Sequence, residues 1–123
     1  MGEGRAAVTT RHRSLELTAE LLQAYSRRGN FHSDPEEARR IGMPGLVAHG
    51  MQVAGPAYGL LLDEWGEDFL AHGELELKFV GMVTDGQAVD AVVDVGDATA
   101  TIDVTNRATD ATAAVGRADR RTP

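Results

Sequence analysis

Residues 29–51 read GNFHSDPEEARRIGMPGLVAHGM, from Gly29 to Met51, and this stretch decides how the rest of the chain is read. It is too rich in glycine, proline and isolated polar residues to be one regular element. It holds two of the four histidines, His32 and His49. Its middle, residues 34–40, has the order of a short helix: Asp34 at the N-cap, Pro35 at the first helical position, acids in the first turn and arginines in the last. Gly42 closes that helix, and Met43-Pro44-Gly45 makes a turn. The stretch then runs into the longest helical pattern of the chain, residues 49–65. A titratable side chain in a loop that feeds a helix N-terminus is a common setting for chemistry.

Upstream, residues 6–17 read as an extended segment. Leu15 and Leu17 alternate with Ser14 and Glu16, the period of a half-buried strand. Thr18 caps a helix that carries Leu21, Leu22 and Tyr25 on one face and stops at Gly29, where a glycine can take positive φ. Downstream, Val53, Ala57, Leu60 and Leu61 define the buried side of the 49–65 helix. Pro56 predicts a kink there, or a regular helix that begins only near Gly55, because an interior proline removes a hydrogen bond. Gly66 ends it. Alternating patterns at 73–80, 88–95 and 98–105, with a weaker one at 110–116, predict four strands joined by tight turns at Asp85-Gly86 and Gly96-Asp97. Residues 117–123 read as a frayed tail.

Short turns between the late strands imply an antiparallel sheet. One long helix is the only element able to cover it. The fold class is therefore α+β, a sheet of about five strands wrapped around a central helix, in a single domain over residues 1–123. Strand edges left open in so small a domain predict pairing with a second copy.

With 19 acidic and 12 basic residues the net charge is −7, which disfavours binding along a nucleic-acid backbone. The pairs Arg27-Arg28 and Arg39-Arg40 remain available to grip one anionic ligand. The chain has no cysteine, so disulfides, cysteine-based zinc sites and a thiol nucleophile are excluded. His32 and His49 have no third ligand at a useful spacing, so no metal is expected. No apolar run approaches the ~18 residues that span a bilayer, and residues 1–5 show no secretory pattern. A cytoplasmic protein with no membrane or nucleic-acid partner is expected.

The order Tyr25-Ser26, Asn30-Phe31-His32-Ser33-Asp34-Pro35, Gly42-Met43-Pro44-Gly45-Leu46-Val47-Ala48-His49-Gly50-Met51, then Lys78-Phe79-Val80 and Asp85-Gly86, resembles the MaoC-like branch of the hot-dog fold. That branch includes (R)-specific enoyl-CoA hydratases and related acyl-thioester dehydratases. The resemblance covers roughly residues 15–95. It implies a lyase that needs no cofactor, adding or removing water across the double bond of an enoyl-CoA or carrier-protein thioester, and working as a homodimer. In the family an acid lies five residues before the loop histidine. His32 matches the histidine, but Arg27 stands at the acid's position, after a one-residue contraction of the loop. Two alternatives therefore stay open: a hot-dog acyl-CoA thioesterase, and a non-catalytic subunit of a heteromeric hydratase.

Hydration needs a group to move a proton and donors for the thioester oxygen. His32 is the candidate acid/base. Asn30 would hold water or thioester, or else serve as an αL residue after a helix. Asp34 would orient His32 or act as a second acid, or else cap the short helix. The Gly50 amide, at a helix N-terminus, is the candidate oxyanion donor, flanked by Ala48 and His49 as substrate-binding or packing residues. His12 and His72 belong to no constellation.

Overall fold

The computed structural model describes residues 8–26 and 29–121. Its elements run β1 (Thr9–Leu17), α1 (Ala19–Tyr25), α2 (Pro35–Arg40), α3 (Gly50–Trp65), α4 (Glu67–His72), β2 (Glu74–Phe79), β3 (Gln87–Val95), β4 (Thr99–Asn106) and β5 (Ala111–Asp119). The strands form one antiparallel sheet in the order β1-β3-β4-β5-β2. This is the hot-dog arrangement, with α3 packed chiefly against β3 and β1 and more lightly against β4 and β5.

The alternating strands deliver the core. Val89, Ala91, Val93 and Val95 of β3 and Ala100, Ile102 and Val104 of β4 are buried on the face that meets α3. From α3 come Val53, Ala57, Leu60, Leu61 and Trp65, all buried. The Trp65 indole N–H donates to the Gly96 carbonyl at 3.2 Å, so the polar edge of this large ring is satisfied inside the core.

Helix α3 is regular from Gly50 onward, and Pro56 sits within it. The expected late start near Gly55 does not occur. A residue before proline resists the helical region because its Cβ meets the proline ring, and Gly55 has no Cβ to do so. The glycine makes the interior proline tolerable.

Other elements depart from the sequence reading. Helix α1 ends at Tyr25, with Ser26 extended (φ −102, ψ 153), before the expected stop at Gly29. Arg27 and Arg28 lie outside the described residues. Of the three residues assigned to one buried face of α1, only Leu22 is buried; Leu21 is 38 % and Tyr25 is 55 % exposed. Helix α4 was not expected. Strand β5 extends through Arg117–Asp119, where the sequence suggested a frayed tail, because it lies between β4 and β2 and pairs with both. The last two residues lie outside the described part of the chain. Among the described residues no helix is long and apolar enough to cross a membrane.

Candidate active site

The site is assembled by backbone pairing between segments distant in sequence. The turn after β2 supplies the support: the Ala48 amide donates to the Val83 carbonyl at 2.8 Å, and the Asp85 amide to the Leu46 carbonyl at 2.9 Å. The Asp85 carboxylate accepts from the Leu46 amide at 2.8 Å. Val47 forms a bridge with Thr84. On its other side the Val47 amide donates to the Phe31 carbonyl at 3.2 Å. The segment 46–48 is thus held between a rigid turn and the loop that carries His32.

That loop is organised by Asn30. Its side-chain oxygen accepts from the His32 amide at 2.9 Å and from the Ser26 hydroxyl at 3.2 Å. Its carbonyl accepts from the amides of Ser33 and Asp34 at 3.0 and 2.8 Å. Asp34 then starts α2, its carboxylate accepting from the amides of Glu36 and Glu37. The carboxylate serves as the helix cap, as its Asp-Pro-Glu-Glu context allowed.

The His32 ring is fixed in turn. Its Nδ1 lies 2.6 Å from the Val47 carbonyl oxygen. A carbonyl only accepts, so Nδ1 carries the proton, and in the neutral ring Nε2 is the free basic nitrogen. Three further rings gather around it. His49 stacks on His32 with ring centroids 3.7 Å apart and an interplanar angle of 22°. Phe31 lies 4.0 Å from His32, and Tyr25 meets His49 edge-on at 5.0 Å. The His49 Nε2 is buried and has no hydrogen-bond partner among the described residues. Burial, and then the neighbouring His32, hold the His49 imidazole below its ordinary pKa, which favours the neutral ring.

These side chains line an open groove of about 530 Å³ formed by Tyr25, Ser26, Asn30, Phe31, His32 and His49. Of the residues singled out from sequence, His32, Asn30 and His49 therefore meet in one place. Asp34 lies outside this groove and caps α2. Ala48 is buried, with its amide committed to Val83. Gly50 follows His49 at the first position of α3, and a Cβ there would meet the Phe79 ring at 3.0 Å. The bareness of Gly50 is therefore answered by a protein ring packed over it. Among the described residues the Gly50 amide has no protein acceptor.

Tyr25 and Phe31 stand within the motif but were not singled out as site residues. No carboxylate contacts His32 among the described residues, and no group of three His, Asp or Glu side chains comes together there to hold a metal.

Residues 12–116 match the family described as the MaoC like domain. No curated protein matches the sequence. Among solved structures the chain is similar to the (R)-hydratase from A. caviae involved in PHA biosynthesis, at 23 % identity over 94 % of this chain and 96 % of that one, with a TM-score of 0.75. It is similar to the R-hydratase PhaJ1 from Pseudomonas aeruginosa, at 16 % identity over 94 % of this chain and 80 % of that one, with a TM-score of 0.75. It also resembles the 3R-hydroxyacyl-ACP dehydratase complex HadBC from Mycobacterium tuberculosis, at 17 % identity over 93 % and 94 % of the two chains, with a TM-score of 0.68. At these identities the structural likeness establishes the fold.

Proposed function

The chain belongs to the MaoC like domain family, and from that premise we propose that it is a lyase adding water to, or removing it from, the double bond of a thioester-linked acyl group. The observation that carries this reading is His32, clamped through Nδ1 on the Val47 carbonyl, lining an open groove and with no partner on Nε2 among the described residues.

In the hydration direction the His32 Nε2 takes a proton from water as the water oxygen bonds to Cβ of the substrate. The electron pair of the double bond moves to the thioester oxygen as an enolate. The Gly50 amide, at the N-terminus of the 16-residue helix α3, donates to that oxygen, and the helix dipole adds to the stabilisation. The His32 imidazolium then returns its proton to Cα, which regenerates the neutral ring. Asn30 keeps the loop in register for this transfer, and Asp34 anchors the loop to α2. Loss of a positioned acid/base typically costs about 10²–10⁴ in rate. Accordingly, His32→Ala removes the absorbance change with crotonyl-CoA while leaving the melting transition intact. A wild-type protein inactive on short and long enoyl thioesters, or an unimpaired His32→Ala variant, refutes the mechanism.

The assembly is a homodimer closed along the free edge of β2. That edge continues into Phe79, Val80 and Met82, which are 48 %, 52 % and 47 % exposed, beside Met51 at 58 %. Uncovered apolar side chains beside an unpaired strand edge favour a protein partner. A second reading, a subunit that works only with a different hot-dog chain, is favoured by the lack of a carboxylate on His32 among the described residues. It predicts that the purified protein turns over enoyl thioesters only after a partner is added.

A further inference from the structure

Asn106 ends β4 with an amide where the alternation of the strand calls for an apolar side chain. Ala100, Ile102 and Val104 precede it on the same inward face, and Asn106 is only 2 % exposed. A buried amide is costly unless its hydrogen bonds are made. Here they are made. The Asn106 Nδ2 donates to the Met82 carbonyl at 3.3 Å and to the Gln87 Oε1 at 3.0 Å, and its Oδ1 accepts from the Ala108 amide at 3.0 Å. Two of the three bonds reach across to the turn between β2 and β3.

From that turn the bonds continue to the candidate site. The Gln87 Oε1 also accepts from the Thr84 amide at 2.9 Å, and the Gln87 amide donates to the Thr84 carbonyl at 3.1 Å. Thr84 forms the isolated bridge with Val47, flanked by the bonds from Ala48 to Val83 and from Asp85 to Leu46. The Val47 carbonyl in turn holds the His32 Nδ1. Asn106 thus reaches His32 through Gln87, Thr84 and Val47. Residues 82–86 belong to none of the named strands, so two side-chain amides supply the fixing that a strand ladder supplies elsewhere.

We propose, building on the hydratase reading above, that Asn106 and Gln87 are positioning residues for His32. They fix the turn against which Val47 is paired, and so keep the Val47 carbonyl on the Nδ1 proton and leave Nε2 open to take a proton from water. Neither residue touches the substrate. A carbonyl that drifts from Nδ1 admits the other tautomer, in which Nε2 carries the proton and is no longer a base. A misplacement of about 1 Å caused by a change remote from the chemistry can cost about 10²-fold in rate.

The test reads the His32 tautomer by NMR of protein labelled at its histidines, with the His32 signals identified by their loss in His32→Ala. Gln87→Met removes the shared acceptor at similar volume, and Asn106→Leu removes both donors. In each, the population protonated on Nδ1 falls, and kcat on crotonyl-CoA drops about tenfold or more while KM stays within about twofold of wild type. Gln87→Glu keeps an acceptor oxygen and returns both readings to near wild type. Side chains that merely stabilise the fold would lower the melting temperature and leave tautomer and kcat alone. A folded Gln87→Met protein with wild-type tautomer populations and wild-type kcat therefore overturns the proposal, whether or not Asn106→Leu folds. Failure of the hydratase reading is distinct: the wild type then turns over no enoyl-CoA, while the tautomer shift in Gln87→Met persists.

Discussion

At the scale of single residues, His49 is where burial and charge meet. Its folded-state pKa is held down by burial and then by His32, so the native ring stays neutral where the unfolded one takes a proton. The unfolded state therefore binds more protons between the lowered native value and the reference of about 6.5. Stability contributed by this group is complete above that window and falls as pH drops through it. His49→Phe keeps a flat ring and removes the titration. Melting temperature followed from neutral to mildly acidic pH falls less steeply in this variant than in the wild type. Superimposable profiles sink the assignment. The stacking of His49 on His32 was not legible in the chain, although both residues were. Seventeen positions separate them, and they meet where the Val47 backbone bonds both the Phe31 carbonyl and the His32 ring. No local periodicity encodes those bonds.

At the scale of elements, α2 shows sequence grammar written out in full. Asp34, Pro35, the two glutamates and the two arginines occupy the positions expected, and the Asp34 carboxylate accepts from two amides of the first turn. Asp34→Ala lowers unfolding free energy by about 1 kcal/mol, and Asp34→Asn or Asp34→Ser restores most of it. Chemical denaturation measures this. Equal losses in all three variants would mean that the carboxylate charge, rather than the cap geometry, carries the effect. The grammar fails where an element draws its stability from neighbours. Strand β5 offers four alanines, a glycine and only Thr112 and Val115 as β-formers, yet it runs nine residues because β4 and β2 flank it. Helix α4 spans only six residues and borrows Gly66, whose φ of +61 ends α3 and begins α4 at once. Phe69 anchors it against Trp65 and Tyr58.

At the scale of the whole molecule, the order of one strand, a loop-rich crossover, one long helix and a late meander sufficed to indicate a sheet wrapped on α3. Burial at 3.6- and 2-residue periods is a property of the chain itself. How copies meet is a property of surfaces, and in the proposed homodimer the edge of β2 and its apolar continuation would carry the information. Val80→Lys changes an exposed side chain beside that edge, so the fold is retained while dimer dissociation rises about tenfold or more. Analytical ultracentrifugation across a concentration series decides the matter. A monomeric wild type, or a Val80→Lys protein that dimerises as well as the wild type, rules out this interface.

Trp65 is the only tryptophan of the chain, and it lies buried at the end of α3 remote from the groove. Fifteen residues of helix separate it from Gly50, a span of roughly 22 Å. Its fluorescence is therefore an intrinsic optical reporter of global unfolding, set apart from events at His32. An acyl ligand shifts the midpoint of a denaturation curve read at this residue by mass action, while the emission of the native baseline stays where it was.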